Sequence, residues 1–183
     1  MSELQTDRLC LRKWTASDAD PWSKLCADPS FWRYPLGRAV GRAESAGLLT
    51  KFARHWDEHG FGLWAAIERE RGVLIGFIGL AVPTFLPEVL PAVEIGWRLG
   101  TEWRGQGLAS EGGRAAMAFG FEELSLGRIV SIAEPANTAS LRVARRLGMT
   151  FDRATRHPAL GVPLVVTSID RARWRAGAGV QRP

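Results

Sequence analysis

Residues 102 to 110 read EWRGQGLAS, with Gly105 and Gly107 set between Arg104 and the start of a helical pattern. Glycine weakens strand and helix alike, so a pair of them marks a place where the backbone must bend. The first turn of a helix leaves N–H groups without partners, and the macrodipole adds about half a positive charge there. A strand, a glycine turn and a helix can therefore hold an anion such as a phosphate, and Arg104 could add a side-chain contact. A tight connection whose glycines only permit the bend is equally compatible with the turn alone. Two familiar nucleotide patterns do not fit. Ser110 stands where G-x-G-x-x-G needs its third glycine, and no G-K-S/T follows.

Other residues of chemical interest lie nearby in the chain. Glu94 sits in the stretch AVEIGWRL, where its plain reading is a strand glutamate paired with an arginine such as Arg98. Asn137 precedes TASLRVARRL and is a good N-cap. Arg142, Arg145 and Arg146 cluster on that helix. His55 and His59 are spaced i,i+4, but no motif supplies a third ligand, so they read as a solvated helix face and no metal is expected.

These residues need elements to hold them. DRLCLRKW (7–14) reads as a first strand, and Thr15 with Asp18 resembles a capping box opening a helix to about Ala27. Leu48, Leu49, Phe52 and Trp56 mark a helix over 42–59, stopped by Gly60. GLWAAIE (62–68) and VLIGFIGLAV (73–82) form a strand pair, and Pro83, Pro87 and Pro91 define a loop. A strand over 92–99, a helix over 108–124, a strand over 128–134 and a helix over 138–147 follow. Strands near 149–156 and 163–170 close the series. The order β-α-α-β-β-β-α-β-α-β-β describes one mixed α/β domain over 1–174, with a flexible tail at 175–183.

The 183 residues suffice for one buried core, and 46% of them are hydrophobic. No apolar run approaches the ~20 residues of a membrane span, and no secretion signal is visible. Cys10 and Cys26 lack metal spacing and suggest a reduced, cytoplasmic protein. The net charge of +5 suits nucleic acid or a phosphorylated small molecule. Without a repeat, a basic tail or aromatic–basic interleaving, nucleic acid is the weaker reading.

Arg104, Gly107 and Ala109 match R/Q-x-x-G-x-G/A, the acyl-CoA pyrophosphate signature of the GNAT superfamily of N-acyltransferases. LQTDRLCLRKWTASDAD, VEIGWRLGTEWRGQGLASE and NTASLRVARRLGM resemble three landmarks of its ribosomal-protein (Rim-type) acetyltransferase branch, in order and at compatible spacing over roughly 4–174. The resemblance implies a mixed, mostly antiparallel sheet of about seven strands, flanked by helices and splayed at the acyl-CoA site. It implies acetyl-CoA as co-substrate, no metal, and an amine partner, either a protein N-terminus or a small molecule. Arg104, Gly105, Gln106, Gly107, Leu108 and Ala109 would hold the pyrophosphate. The backbone of Trp97, Arg98 and Leu99 would hold the pantetheine and polarise the thioester. Glu94 would receive the amine proton through water. Asn137 would bind the pantetheine arm, Ser140 would serve the leaving sulfur in place of the tyrosine many relatives carry, and Arg142 and Arg145 would face phosphates.

Two departures stand out: Thr101 replaces a usual proline, which would loosen the turn, and Thr167 replaces a usual tyrosine or histidine. Acceptor specificity would sit in 28–47 and 83–91, where Trp22, Phe31, Trp32, Tyr34, Phe85 and Leu86 could line a pocket. A CoA-binding module without turnover, and either a monomer or a homodimer, are compatible with the same residues.

Overall fold

The computed structural model describes residues 3–178. Eight strands and five helices follow in the order β1 (Glu3–Gln5), β2 (Leu9–Arg12), α1 (Ala19–Ala27), α2 (Arg42–His59), β3 (Leu63–Glu68), β4 (Val73–Ala81), β5 (Val93–Leu99), α3 (Leu108–Glu122), β6 (Arg128–Ala133), α4 (Thr138–Arg146), β7 (Thr150–Arg156), β8 (Pro163–Asp170) and α5 (Arg171–Ala178). The strands form one sheet in the order β1-β2-β3-β4-β5-β6-β8-β7. The pairs β1–β2, β2–β3, β3–β4, β6–β8 and β7–β8 are antiparallel, and β5 meets β6 in parallel, a pairing that requires a crossover, here α3.

The expected seven strands become eight because the chain pairs Glu3–Gln5 with Cys10–Arg12 ahead of the first alternating run. Three residues carry too little periodicity to announce a strand. The expected tail begins inside α5, and residues 179–183 lie outside the described residues. The helix over 42–59 ends as its glycine requires, with Gly60 at φ 74° and its N–H bonded to the Trp56 carbonyl. Asp18 accepts the Thr15 N–H at 2.8 Å, the acidic half of the capping box, and Arg12 grips the same buried carboxylate with two bonds of 2.7 Å.

The described residues fall into two compact units, one within Met1–Ala81 and Gly96–Ala116, the other within Val82–Ile95 and Met117–Pro183. The first is built around Trp22, Cys26, Phe31, Trp32, Val40 and Phe77. Trp22 meets Trp14 edge-on at 5.1 Å and Phe31 at 5.7 Å, the offset geometry aromatic quadrupoles favour. In the same unit α3 lies close on the sheet: a Cβ on Gly112 would stand 2.5 Å from Ile78 Cδ1. The second unit packs Leu86, Val89, Ala92, Val130, Leu164 and Val166 together. Each fully buried aliphatic among them contributes about 1.5–3 kcal/mol.

Candidate active site

The glycine turn belongs to the first unit. After β5, Thr101–Trp103 make one 3₁₀ turn and Arg104 is extended. Gly105 (φ 76°) and Gly107 (φ 84°) then take left-handed conformations, and α3 starts at Leu108. A Cβ at Gly105 would meet nothing within 4 Å, so glycine is needed there for its backbone angle and the space beside it is open. The N–H groups of Ser110 and Glu111 bond to the Gly107 carbonyl, both at 3.0 Å. Those of Leu108 and Ala109 stand ahead of these first helical bonds.

The side chains of the turn serve the turn itself. Arg104 donates to the Leu99 carbonyl at 2.9 Å and the Ser30 carbonyl at 3.0 Å, and Gln106 donates to the Glu102 carbonyl at 2.7 Å. What the turn offers outward is therefore mainly main chain. Glu111, in the first turn of α3, accepts from Thr6 Oγ1 at 2.6 Å, from the Arg8 N–H at 2.8 Å and from Arg8 Nε at 2.7 Å. Burial pushes its carboxyl up, but these bonds outweigh burial and hold it below the usual range. Its partners lie more than a hundred residues away in the chain, so only its place beside the turn was readable.

Leu99 is buried, while Trp97 and Arg98 are half-buried. Arg98 is not a surface charge. It donates to the carbonyls of Phe31 at 2.6 Å and Tyr34 at 2.7 Å, and its guanidinium lies 4.2 Å from the Trp32 ring. Burial first, then the charge of Arg104, pushes it down to about 10. Thr101 does not leave the turn loose, because its hydroxyl donates to Asp28 at 3.1 Å and lies 2.6 Å from Ser30 Oγ. Phe31, Trp32 and Trp22 are core residues of this unit, not pocket lining.

Glu94 belongs to the second unit. The β5–β6 ladder pairs Val93 with Ile129 and Glu94 with Val130 and goes no further, so the parallel pairing stops at this glutamate. Its carboxylate accepts the Ile132 N–H, yet burial dominates and pushes it up to about 8. Among the described residues it has no ion-pair partner, so pairing with an arginine is not what holds it.

In the same unit Asn137 caps α4, accepting the Ser140 N–H at 3.2 Å. That bond uses the amide oxygen and leaves its NH₂ group. Ser140 is half-buried, and Arg142 and Arg145 are exposed without an ion pair among the described residues. Thr167 is buried, donating to the Ser131 carbonyl at 3.4 Å. Leu86 is core here, whereas Phe85 stacks on His157 at 5.1 Å.

The model of the acetyltransferase (GNAT) domain matches residues 8–150. The chain belongs to the GNAT acetyltransferase family. It is similar to the uncharacterized protein YkkB of Bacillus subtilis (31% identical, 85% of this chain and 89% of that one). It is also similar to the uncharacterized N-acetyltransferase p20 of Bacillus licheniformis (28%, 80% and 82%). The ribosomal-protein-S5-alanine acetyltransferase of Vibrio fischeri superposes with a TM-score of 0.76 over 95% of this chain and 99% of that one. At 16% identity that likeness concerns the fold.

The protein is thus an N-acetyltransferase, as its landmarks suggested, on the expected mixed, mostly antiparallel sheet. In this acetyltransferase the residues from Arg104 to Ala109 are contiguous at one turn, and Glu94, Asn137 and Ser140 fall in the other unit. No helix of the described residues is long and apolar enough to cross a membrane.

Proposed function

We propose that this N-acetyltransferase moves an acetyl group from acetyl-CoA to a primary amine, by direct attack in a ternary complex. The observation that carries the proposal is Glu94: a carboxyl with no ion-pair partner among the described residues, pushed up to about 8, on the strand where parallel pairing stops. An amine must be neutral to attack. A lysine side chain, with a pKa of about 10.4, rarely is at pH 7, whereas an α-amino group near 8 is far closer. A base of about 8 takes a proton from such an amine at little cost in driving force. The acceptor on this reading is a protein N-terminus or a small-molecule amine; the basic chain argues against a polycation.

The residues present fit the co-substrate. Left-handed glycines, open space at Gly105 and amides of Leu108 and Ala109 without an acceptor among the described residues suit a pyrophosphate. Acetyl-CoA supplies the thioester carbonyl and the leaving thiolate. The main chain of Trp97, Arg98 and Leu99 holds the arm and polarises the carbonyl. Arg104 and Gln106 shape the turn around the phosphates. Glu94 takes the amine proton through a water, the Asn137 NH₂ group holds the arm, and the Ser140 hydroxyl donates a hydrogen bond toward the sulfur. Arg142 and Arg145 serve the remaining phosphate. On this reading the functional domain is single over 1–174; that β5 and α3 each contribute residues to both units supports it. The free thiols Cys10 and Cys26 support a reducing, cytoplasmic setting.

The test is calorimetric titration with acetyl-CoA, followed by thiol release against a panel of amines. Glu94 acts ionised, so kcat/KM rises with pH and levels off above about 8. Glu94→Gln lowers kcat by roughly 10²–10⁴ and leaves in kcat/KM only the limb of the acceptor amine itself. Binding without turnover on any amine would make the protein a CoA-binding module. No binding would sink the assignment of the glycine turn.

A further inference from the structure

We infer that Arg8 is a positioning residue of the phosphate-binding turn, holding the Gln106–Gly107 peptide so that its N–H faces the ligand. The inference rests on reading the turn as the acyl-CoA site. Arg8 lies directly before β2, 98 residues from the carbonyl it grips. Its Nη1 donates to the Gln106 carbonyl at 3.0 Å, while Nε donates to Glu111 at 2.7 Å and Nη2 lies 2.6 Å from the same carboxylate oxygen. Thr6 Oγ1 and the Arg8 main-chain N–H complete the grip on Glu111. One guanidinium thus ties the last carbonyl before Gly107 to the first turn of α3.

The consequence follows from peptide geometry. A trans peptide is planar, with its C=O and N–H pointing in opposite directions. Fixing the Gln106 oxygen on the Arg8 side therefore fixes the Gly107 N–H on the other. Without that hold, Gly107 has no Cβ to restrict it, and the peptide is free to turn its carbonyl toward a phosphate, which it would repel. Arg8 Nη2 lies 3.6 Å from where a Gly107 Cβ would stand, so the arginine backs the turn closely. Glu111 compensates its charge, which separates Arg8 from a side chain that binds phosphate directly.

That distinction sets the experiment: CoA titrated into the full-length protein at several salt concentrations, for wild type, Arg8→Gln, Arg8→Lys and Glu111→Gln. Arg8→Gln should weaken CoA about tenfold, the scale of losing one charge-assisted hydrogen bond. The salt dependence of its affinity should match wild type, because no phosphate contact is lost. Arg8→Lys should stay near the Arg8→Gln value, since one ammonium cannot span both Gln106 and Glu111. Glu111→Gln should lose affinity in the same direction. Pantetheine, which lacks the phosphates, should bind all four proteins alike by NMR titration.

Unchanged CoA affinity in Arg8→Gln overturns the inference. So does full rescue by lysine, a shallower salt slope, or an equal loss for pantetheine. If Arg8→Gln does not fold, Arg8→Lys and Glu111→Gln decide. A wild type that does not bind CoA would instead remove the reading of the turn itself.

Discussion

Two irregular stretches of the first unit are each held by arginine, and they are held in opposite senses. At the glycine turn, Arg8, Arg104 and Gln106 bond to carbonyls, while the N–H groups of Leu108 and Ala109 have no acceptor among the described residues. In segment 28–37, Arg98 bonds to the carbonyls of Phe31 and Tyr34, Arg104 to that of Ser30, and Thr101 to Asp28. Phe31 is 1% exposed and Trp32 8%, and together they cover the arginine that holds them. One stretch is organised to leave main chain available; the other is organised to satisfy it. On the proposed reading, an aromatic-rich loop is scaffold here, and an aromatic-poor one is the binding element.

The largest effect that could break this contrast is expected from Gly107→Trp. At φ 84° any side chain is strained, and its Cβ would stand 3.6 Å from Arg8 Nη2, so an indole would displace the arginine that holds the turn. Affinity for CoA should fall by more than about a hundredfold, beyond what one lost hydrogen bond explains. Far-UV circular dichroism should stay that of wild type, because the turn adds little to the core. Retained affinity would mean that the turn is only a bend.

Arg98→Met probes the other stretch, with a smaller effect of a different kind. It leaves two carbonyls without their donors, at a cost of about 2–3 kcal/mol. Denaturant unfolding should report that loss, and hydrogen exchange should quicken between residues 31 and 37. Arg98→Lys should recover part of it. A stability equal to wild type would show that segment 28–37 does not depend on its arginine.

The same contrast explains what the sequence made legible. Gly105, Gly107, Gly60 and the cap at Asn137 speak through local backbone demands, so the turn and the helix ends could be read. The periodic runs placed seven strands and four helices within a few residues. Arg98 and Glu111 could not be assigned, because their partners lie 64 to 105 residues away and no local pattern encodes such contacts. β1 and α5 escaped because they are short, and pairing with Cys10–Arg12 or packing of Trp174 on Phe121 defines them. Glu94 was legible as a candidate, but its raised proton affinity needed the burial that only the fold supplies.

Thr101→Pro should have the smallest effect, and it asks whether the two stretches are tied to each other. Gly100 has φ −53° and ψ 151°, a conformation that suits the residue before a proline. Thr101 opens the 3₁₀ turn, where a missing N–H is tolerated. Proline should stabilise through the unfolded chain by about 0.4–1 kcal/mol, offset by the lost hydroxyl bonds to Asp28 and Ser30. Both partners are near the surface, where water replaces a lost hydroxyl cheaply. The net change in thermal midpoint should be within about 3 °C, with faster exchange confined to the amides of Ser30 and Phe31. A larger drop would mean that the hydroxyl joins segment and turn into one unit, and that the contrast between them is one of appearance.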